Sequence, residues 1–170
     1  MLFMRGLVEI NNLHPLFVHF PVALLTTSLF FFIVAIIFRN STWDTAGRFT
    51  LFTGTGAALI AVLSGLVASN TVPHMENVHE IMLAHQRGGY IILGGSIILS
   101  LWRFFQRDFL HATAKWFFLV CMILLNFILA SSGDLGAQMV FLHGVGVKGY
   151  PTESTAPIIF DKKDLHPHNH

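Results

Sequence analysis

The sequence predicts an all-α integral membrane protein: a four-helix bundle with an extramembrane C-terminal tail. Three observations carry that reading. Hydrophobic residues make up 54% of the 170 and charged ones only 11%, and the mean hydropathy is +0.64, far from a soluble average. Four apolar stretches approach the roughly 20 residues that a helix needs to cross a bilayer. Polar or charged segments separate them, and 17 phenylalanines suit surfaces that face lipid or pack a bundle.

The spans fall at about 15–38, 49–69, 85–102 and 116–132. The first opens on HPLFVHFP. Pro15 fits a first helical position, where its missing N–H is not needed, and His14 stands at the cap. Pro21 then removes a backbone bond to Phe17, which predicts a kink of the sort membrane bundles tolerate. The alternative is a start near Phe20 that leaves His19 in the loop; both arrangements put His14 and His19 near one membrane surface. The third span is the least regular, with Arg87, Gly88 and Gly89 close to its start. Residues 1–147 therefore form the bundle and 148–170 an extended tail.

Orientation follows the lysine and arginine bias of short loops. The first loop carries Arg39 and Arg48, and the third carries Arg103, Arg107 and Lys115. The second has only Arg87 against Glu76 and Glu80. Loops one and three are expected to be cytoplasmic, with both termini and the tail outside. The N-terminus does not read as a cleavable signal, because its apolar stretch is long, contains His19 and Pro21, and lacks a small-residue cleavage motif.

The unusual feature is histidine: ten, against ten lysines and arginines together. His14, His19, His74, His79, His85 and His143 all fall on the outer side, and only His111 on the cytoplasmic side. Imidazole inside a membrane is costly and marks a functional candidate facing the bundle interior. It binds haem iron, zinc and copper. A bis-histidine haem b needs imidazoles on opposing helices and small residues where the macrocycle approaches backbone. Gly88 or Gly89 lies a turn after His85, and helix two offers Gly54, Ala58, Ala61 and Gly65 at helical spacing. The competing reading of such stripes is plain close packing of helices. His19 with His85 is the expected axial pair, about a turn inside each helix. His14, His79 and His143 remain for a second haem, a metal or supporting hydrogen bonds. His79 and His85, six residues apart, project about 120° apart and should not share an iron. The bland alternatives are a solvated His74, an interfacial His111, a capping His14 and a flexible end for His166, His168 and His170.

Other chemistries are excluded or poorly supported. The single Cys121 allows no disulfide framework, thiolate cluster or C-x-x-C-H haem attachment. HEIMLAH spaces its histidines six apart, not four, and GVGVKGY lacks P-loop spacing. No Ser-His-Asp constellation is visible, and a formal charge of +1 gives no field for nucleic acid. Asp134 near the outer end of helix four could orient a histidine or simply be solvated.

HPLFVHFPVAL, AHQRGGYIILG and GDLGAQMVFLHGVGV together resemble a bacterial family of predicted membrane proteins, the domain of unknown function numbered twenty-two thirty-one, over about residues 13 to 147. Members resemble four-helix membrane proteins with an HP-x-x-VHFP start, a histidine at helix three and an HGVGV ending. The corresponding residues here are His14, His19, His85 and His143; where many members read GG before the last motif, this chain reads LGAQMVF. The resemblance implies a haem-associated or redox-associated module. Within HGVGV, Gly144 and Gly146 permit a sharp turn that folds the chain back after His143.

The function expected is a b-type cytochrome-like electron-transfer subunit rather than a stand-alone enzyme, in a bacterial inner membrane. Its haem (one, with a second left open) would lie at the periplasmic end, held by His19, His85, His14, His79 or His143, with Gly88 and Gly89 making room. A quinone is a further candidate cofactor. Lipid and other membrane or periplasmic redox subunits are the expected partners, and nucleic acid is not. The alternatives are a cofactor-free anchor or assembly subunit, and a copper- or zinc-binding membrane protein.

Overall fold

The computed structural model describes residues 13–71, 78–106 and 112–146. Four helices account for nearly all of them: α1 (His14–Phe38), α2 (Ser41–Thr71), α3 (His79–Phe105) and α4 (Ala112–Phe141). Among the described residues there are no strands. All four helices are long and apolar enough to cross a membrane. Large apolar side chains stand exposed along each of them, among them Phe30, Phe49, Ile98 and Phe127; on a soluble protein such surface would be a liability, and here it is the face offered to lipid.

Neighbouring helices pack in a ring, α1 on α2, α2 on α3, α3 on α4 and α4 on α1. This leaves α1 diagonal to α3 and α2 diagonal to α4. Chain direction alternates, because the start of α1 meets the end of α2, and the start of α3 meets the end of α4, at one end of the bundle.

The helices run past the apolar stretches. α1 is unbroken from His14 to Phe38 with a buried Pro21 inside it. It ends at Arg39, which takes the left-handed conformation (φ 51°), while Asn40 N–H donates back to the Ala35 carbonyl. Asn40 then accepts from Thr42 N–H through its side chain at 2.8 Å, satisfying a free donor at the start of α2. The first connection is therefore two residues long, and Asp44 and Arg48 are helix residues, not loop residues. That extension is possible because Asp44 has a partner: the buried Arg103 near the end of α3 donates to its carboxylate at 2.5 Å, and Arg48 lies 3.6 Å away. The Arg103 guanidinium also lies over the Phe32 and Phe118 rings, at 5.7 and 5.8 Å.

Between this charged end and the histidine end lies the apolar core of Leu25, Phe32, Leu51, Ile92, Leu99, Phe118, Met122, Leu125 and Leu129. Small residues on α2 let α1 approach: an added Cβ at Gly54 would meet Leu25 at 2.9 Å, and one at Gly47 the Phe32 ring at 3.1 Å. Ser28 reinforces the contact by donating to the Gly47 carbonyl at 2.8 Å. At the far end, α4 stops at Phe141; Gly144 (φ 63°) and Gly146 (φ 78°) take the left-handed conformation, and Gly144 N–H and Val145 N–H donate back to Val140 and Met139. The turn expected from HGVGV is there. The tail 148–170, with His166, His168 and His170, lies outside the described residues, as do His74 and His111.

Candidate functional site

His14 and His85 meet inside the bundle. His14 begins α1 and His85 lies in the second turn of α3, so the pair spans the diagonal between helices that are not neighbours in the ring. Their ring centroids are 6.0 Å apart with the planes at 79°, and both residues are half-buried.

The other two helices hold the rings. His14 Nδ1 lies 3.0 Å from Ser64 Oγ on α2, and that hydroxyl donates its own hydrogen to the Ala61 carbonyl at 2.9 Å. His85 Nδ1 lies 2.8 Å from the Ser132 carbonyl on α4. A carbonyl only accepts, so Nδ1 of His85 carries the hydrogen. In the neutral His85 ring the lone pair is then on Nε2. Metal-binding histidines are commonly oriented in this way, with the outer nitrogen tied to an oxygen and the other left to ligate.

Small residues admit both rings. An added Cβ at Gly65 would come 3.0 Å from His14 Cε1, and one at Gly136 would come 3.3 Å from His85 Cε1. At Gly88 it would meet Ser132 Oγ at 2.8 Å, so Gly88 is what lets α4 come close enough for the Ser132 carbonyl to reach His85. Gly89 faces Val62 of α2 at an ordinary 3.7 Å. The small-residue stripe on α2 thus does two jobs: Gly54, Ala58 and Ala61 pack against the core, while Gly65 lies under a histidine.

The remaining histidines are placed differently. His19 is exposed, and its Nδ1–H donates to the Pro15 carbonyl at 2.6 Å within its own helix. The partner facing His85 is therefore His14, one turn earlier than the expected His19. His79 is exposed at the first position of α3, and His143 is half-buried in the turn after α4. Asp134 is exposed and accepts from Gln138 at 2.7 Å. Among the described residues, no three His, Cys, Asp or Glu side chains gather as a metal site. Sequence reasoning missed Ser64, Ser132 and Gly136. Their one signal is spacing: Ser132 and Gly136 are four apart, on one face of α4.

No curated protein and no solved structure matches the chain. The profile of one family matches residues 11–149, which takes in all four helices and both histidine-bearing motifs at their ends. The chain belongs to that family, the predicted membrane proteins of DUF2231.

Proposed function

We propose that the protein is a bis-histidine haem b electron-transfer module of the membrane, with His14 and His85 as the axial ligands. The observation that carries this is the diagonal pair itself. Two imidazoles facing each other across one metal at about 2.0–2.1 Å per bond would have ring centroids about 6.4 Å apart, near the 6.0 Å between these two. Zinc sites take three or four protein ligands, whereas haem supplies four equatorial nitrogens itself and asks the protein for two. A site made of two imidazoles fits that demand. Small residues on the two flanking helices, Gly65 on α2 and Gly136 on α4, give the two imidazoles their place inside the bundle.

Bound haem supplies a one-electron iron couple. The chain's own residues would do the rest. Ser64 Oγ and the Ser132 carbonyl would orient the two imidazoles as ligands. The apolar bundle below the pair would keep water from the site and, with the two imidazoles, would tune the potential of a bound haem. With Arg39, Arg107 and Lys115 gathered at the opposite end, the positive-inside rule would turn this end to the periplasm of a bacterial inner membrane. Electrons would pass there between a quinol or membrane partner and a periplasmic redox protein.

The test is an absorption spectrum of the protein purified in detergent after haem-supplemented expression, oxidised and then dithionite-reduced, with a pyridine haemochrome assay. A sharp reduced α-band is expected in the wild type and in His19→Ala. It should be lost in His14→Ala and in His85→Ala. A colourless wild type refutes the haem reading, and retention of the band in both His14→Ala and His85→Ala refutes the assignment of ligands.

A further inference from the structure

The two imidazoles are held from different helices. His14 takes its bearing from α2: Ser64 Oγ lies 3.0 Å from its Nδ1, and a Cβ added at Gly65 would fall 3.0 Å from its Cε1 and 3.3 Å from its Nδ1. His85 takes its bearing from α4. The Ser132 carbonyl accepts from its Nδ1 at 2.8 Å, Ser132 Oγ lies 3.3 Å from the same nitrogen, and a Cβ added at Gly136 would fall 3.3 Å from its Cε1. Each ring is thus restrained along its Nδ1–Cε1 edge, which leaves it little freedom to turn. α2 and α4 lie diagonal to each other in the ring of helices, so the two restraints are independent. Together they set the imidazole planes at 79°, close to a right angle.

An imidazole donates π density only perpendicular to its ring. As an axial ligand it therefore acts on one of the two iron d orbitals that lie along the axial direction. Parallel rings act on the same orbital and split the pair. Crossed rings act on one each and leave the pair nearly degenerate, with its orbital angular momentum unquenched. The hydrogen bond at the outer nitrogen is what fixes the plane of a ligating histidine, and hydrogen bonding around the ligands is among the means by which a protein tunes a haem. We propose, resting on the haem reading above, that Ser64 and the Ser132 carbonyl are positioning groups that hold the axial imidazoles crossed, so that this chain makes a haem centre of the highly anisotropic low-spin class. Gly65 and Gly136 keep the two rings in those planes from the other side of the same edge.

Electron paramagnetic resonance of the full-length protein, loaded with haem in detergent and oxidised, tests it. The wild type should give a single low-spin signal with one very large g value and two broad features. Ser64→Ala frees the His14 ring and should replace much of that signal by a rhombic one with three resolved g values. If that variant holds no haem, Gly65→Ala and Gly136→Ala keep both oxygens but drive a Cβ against the His14 and the His85 ring, and each should show the same loss. Haem loading is read separately by the pyridine haemochrome assay, so the two readings fail differently. A wild type that takes up no haem refutes the haem reading and the crossed planes with it. A haem-loaded wild type with a rhombic signal overturns the crossed planes alone. An unchanged anisotropic signal in the haem-loaded variants overturns the positioning role.

Discussion

Replacing Gly88 by alanine adds one methyl group at the contact that joins the two halves of the histidine site. The new Cβ would lie 2.8 Å from Ser132 Oγ and 3.0 Å from Ser132 Cβ, where ordinary contact begins at 3.4 Å. The Ser132 hydroxyl can rotate away, but its Cβ moves only with the α4 backbone. The two helices must therefore separate by roughly 0.4–0.6 Å at that level. Overpacking of this kind costs about 1–3 kcal/mol, and at this chain length each kcal/mol lowers Tm by about 2–4 °C. The helix preference for alanine returns about 0.5–1 kcal/mol of this, so Gly88→Ala should melt below the wild type in detergent by up to about 10 °C. The same shift lengthens the 2.8 Å contact between His85 Nδ1 and the Ser132 carbonyl. Gly94→Ala, six residues along the same helix, is the control. Its Cβ would meet nothing within 4 Å, so only the helix preference for alanine remains, a gain of about 0.5–1 kcal/mol. The two variants should thus shift in opposite directions. A thermal unfolding series followed by tryptophan fluorescence reads both. Gly88→Ala melting at or above the wild type would refute the claim that α3 and α4 are in tight contact at this point.

Asp44→Asn removes the carboxylate from the buried Arg103. It should destabilise the fold by about 3–5 kcal/mol, seen as a lower Tm, and the Asp44→Asn/Arg103→Met double variant should recover part of the loss. Ser28→Ala leaves the Gly47 carbonyl without its buried 2.8 Å donor and should cost about 1 kcal/mol in the same assay. Ser64→Ala deletes the hydroxyl that lies 3.0 Å from His14 Nδ1. It should lower the haem content of purified protein, with little effect from Ser69→Ala, whose hydroxyl serves only its own helix. Equal haem content in the two serine variants would refute the role given to Ser64.

The histidine end shows how far sequence reasoning reaches. That His14, His19, His85 and His143 belong to one end of the bundle follows from the spans alone, since each lies beside a span boundary. Which of them face inward does not. His14 and His19 are five residues apart, so they project on different sides of α1. Nothing in a nearly uniform apolar helix marks the inner side, because lipid and bundle interior are equally apolar. The depth of His19, about a turn inside the helix, made it the expected partner of His85. The angular position of α1 against α2, fixed where Gly54 receives Leu25 and Gly65 receives the His14 ring, turns His14 inward and leaves His19 bonded to its own backbone.

The same limit explains the opposite end. Arg48 and Arg103 read as loop charges because a single chain of hydropathy values has no way to pair them. Arg103 is buried only because Asp44, 59 residues earlier, comes to meet it, and that pairing exists only once α2 and α3 are packed. The sequence by itself determined four membrane-crossing helices, their order and the gathering of histidines at one end, since hydrophobic length and polar breaks are local properties. Tertiary structure alone decided that His14 faces His85, that Ser64 and Ser132 hold them, and that Asp44 and Arg103 join. Each of these depends on the rotation of one helix against another, set by packing between residues far apart in the chain.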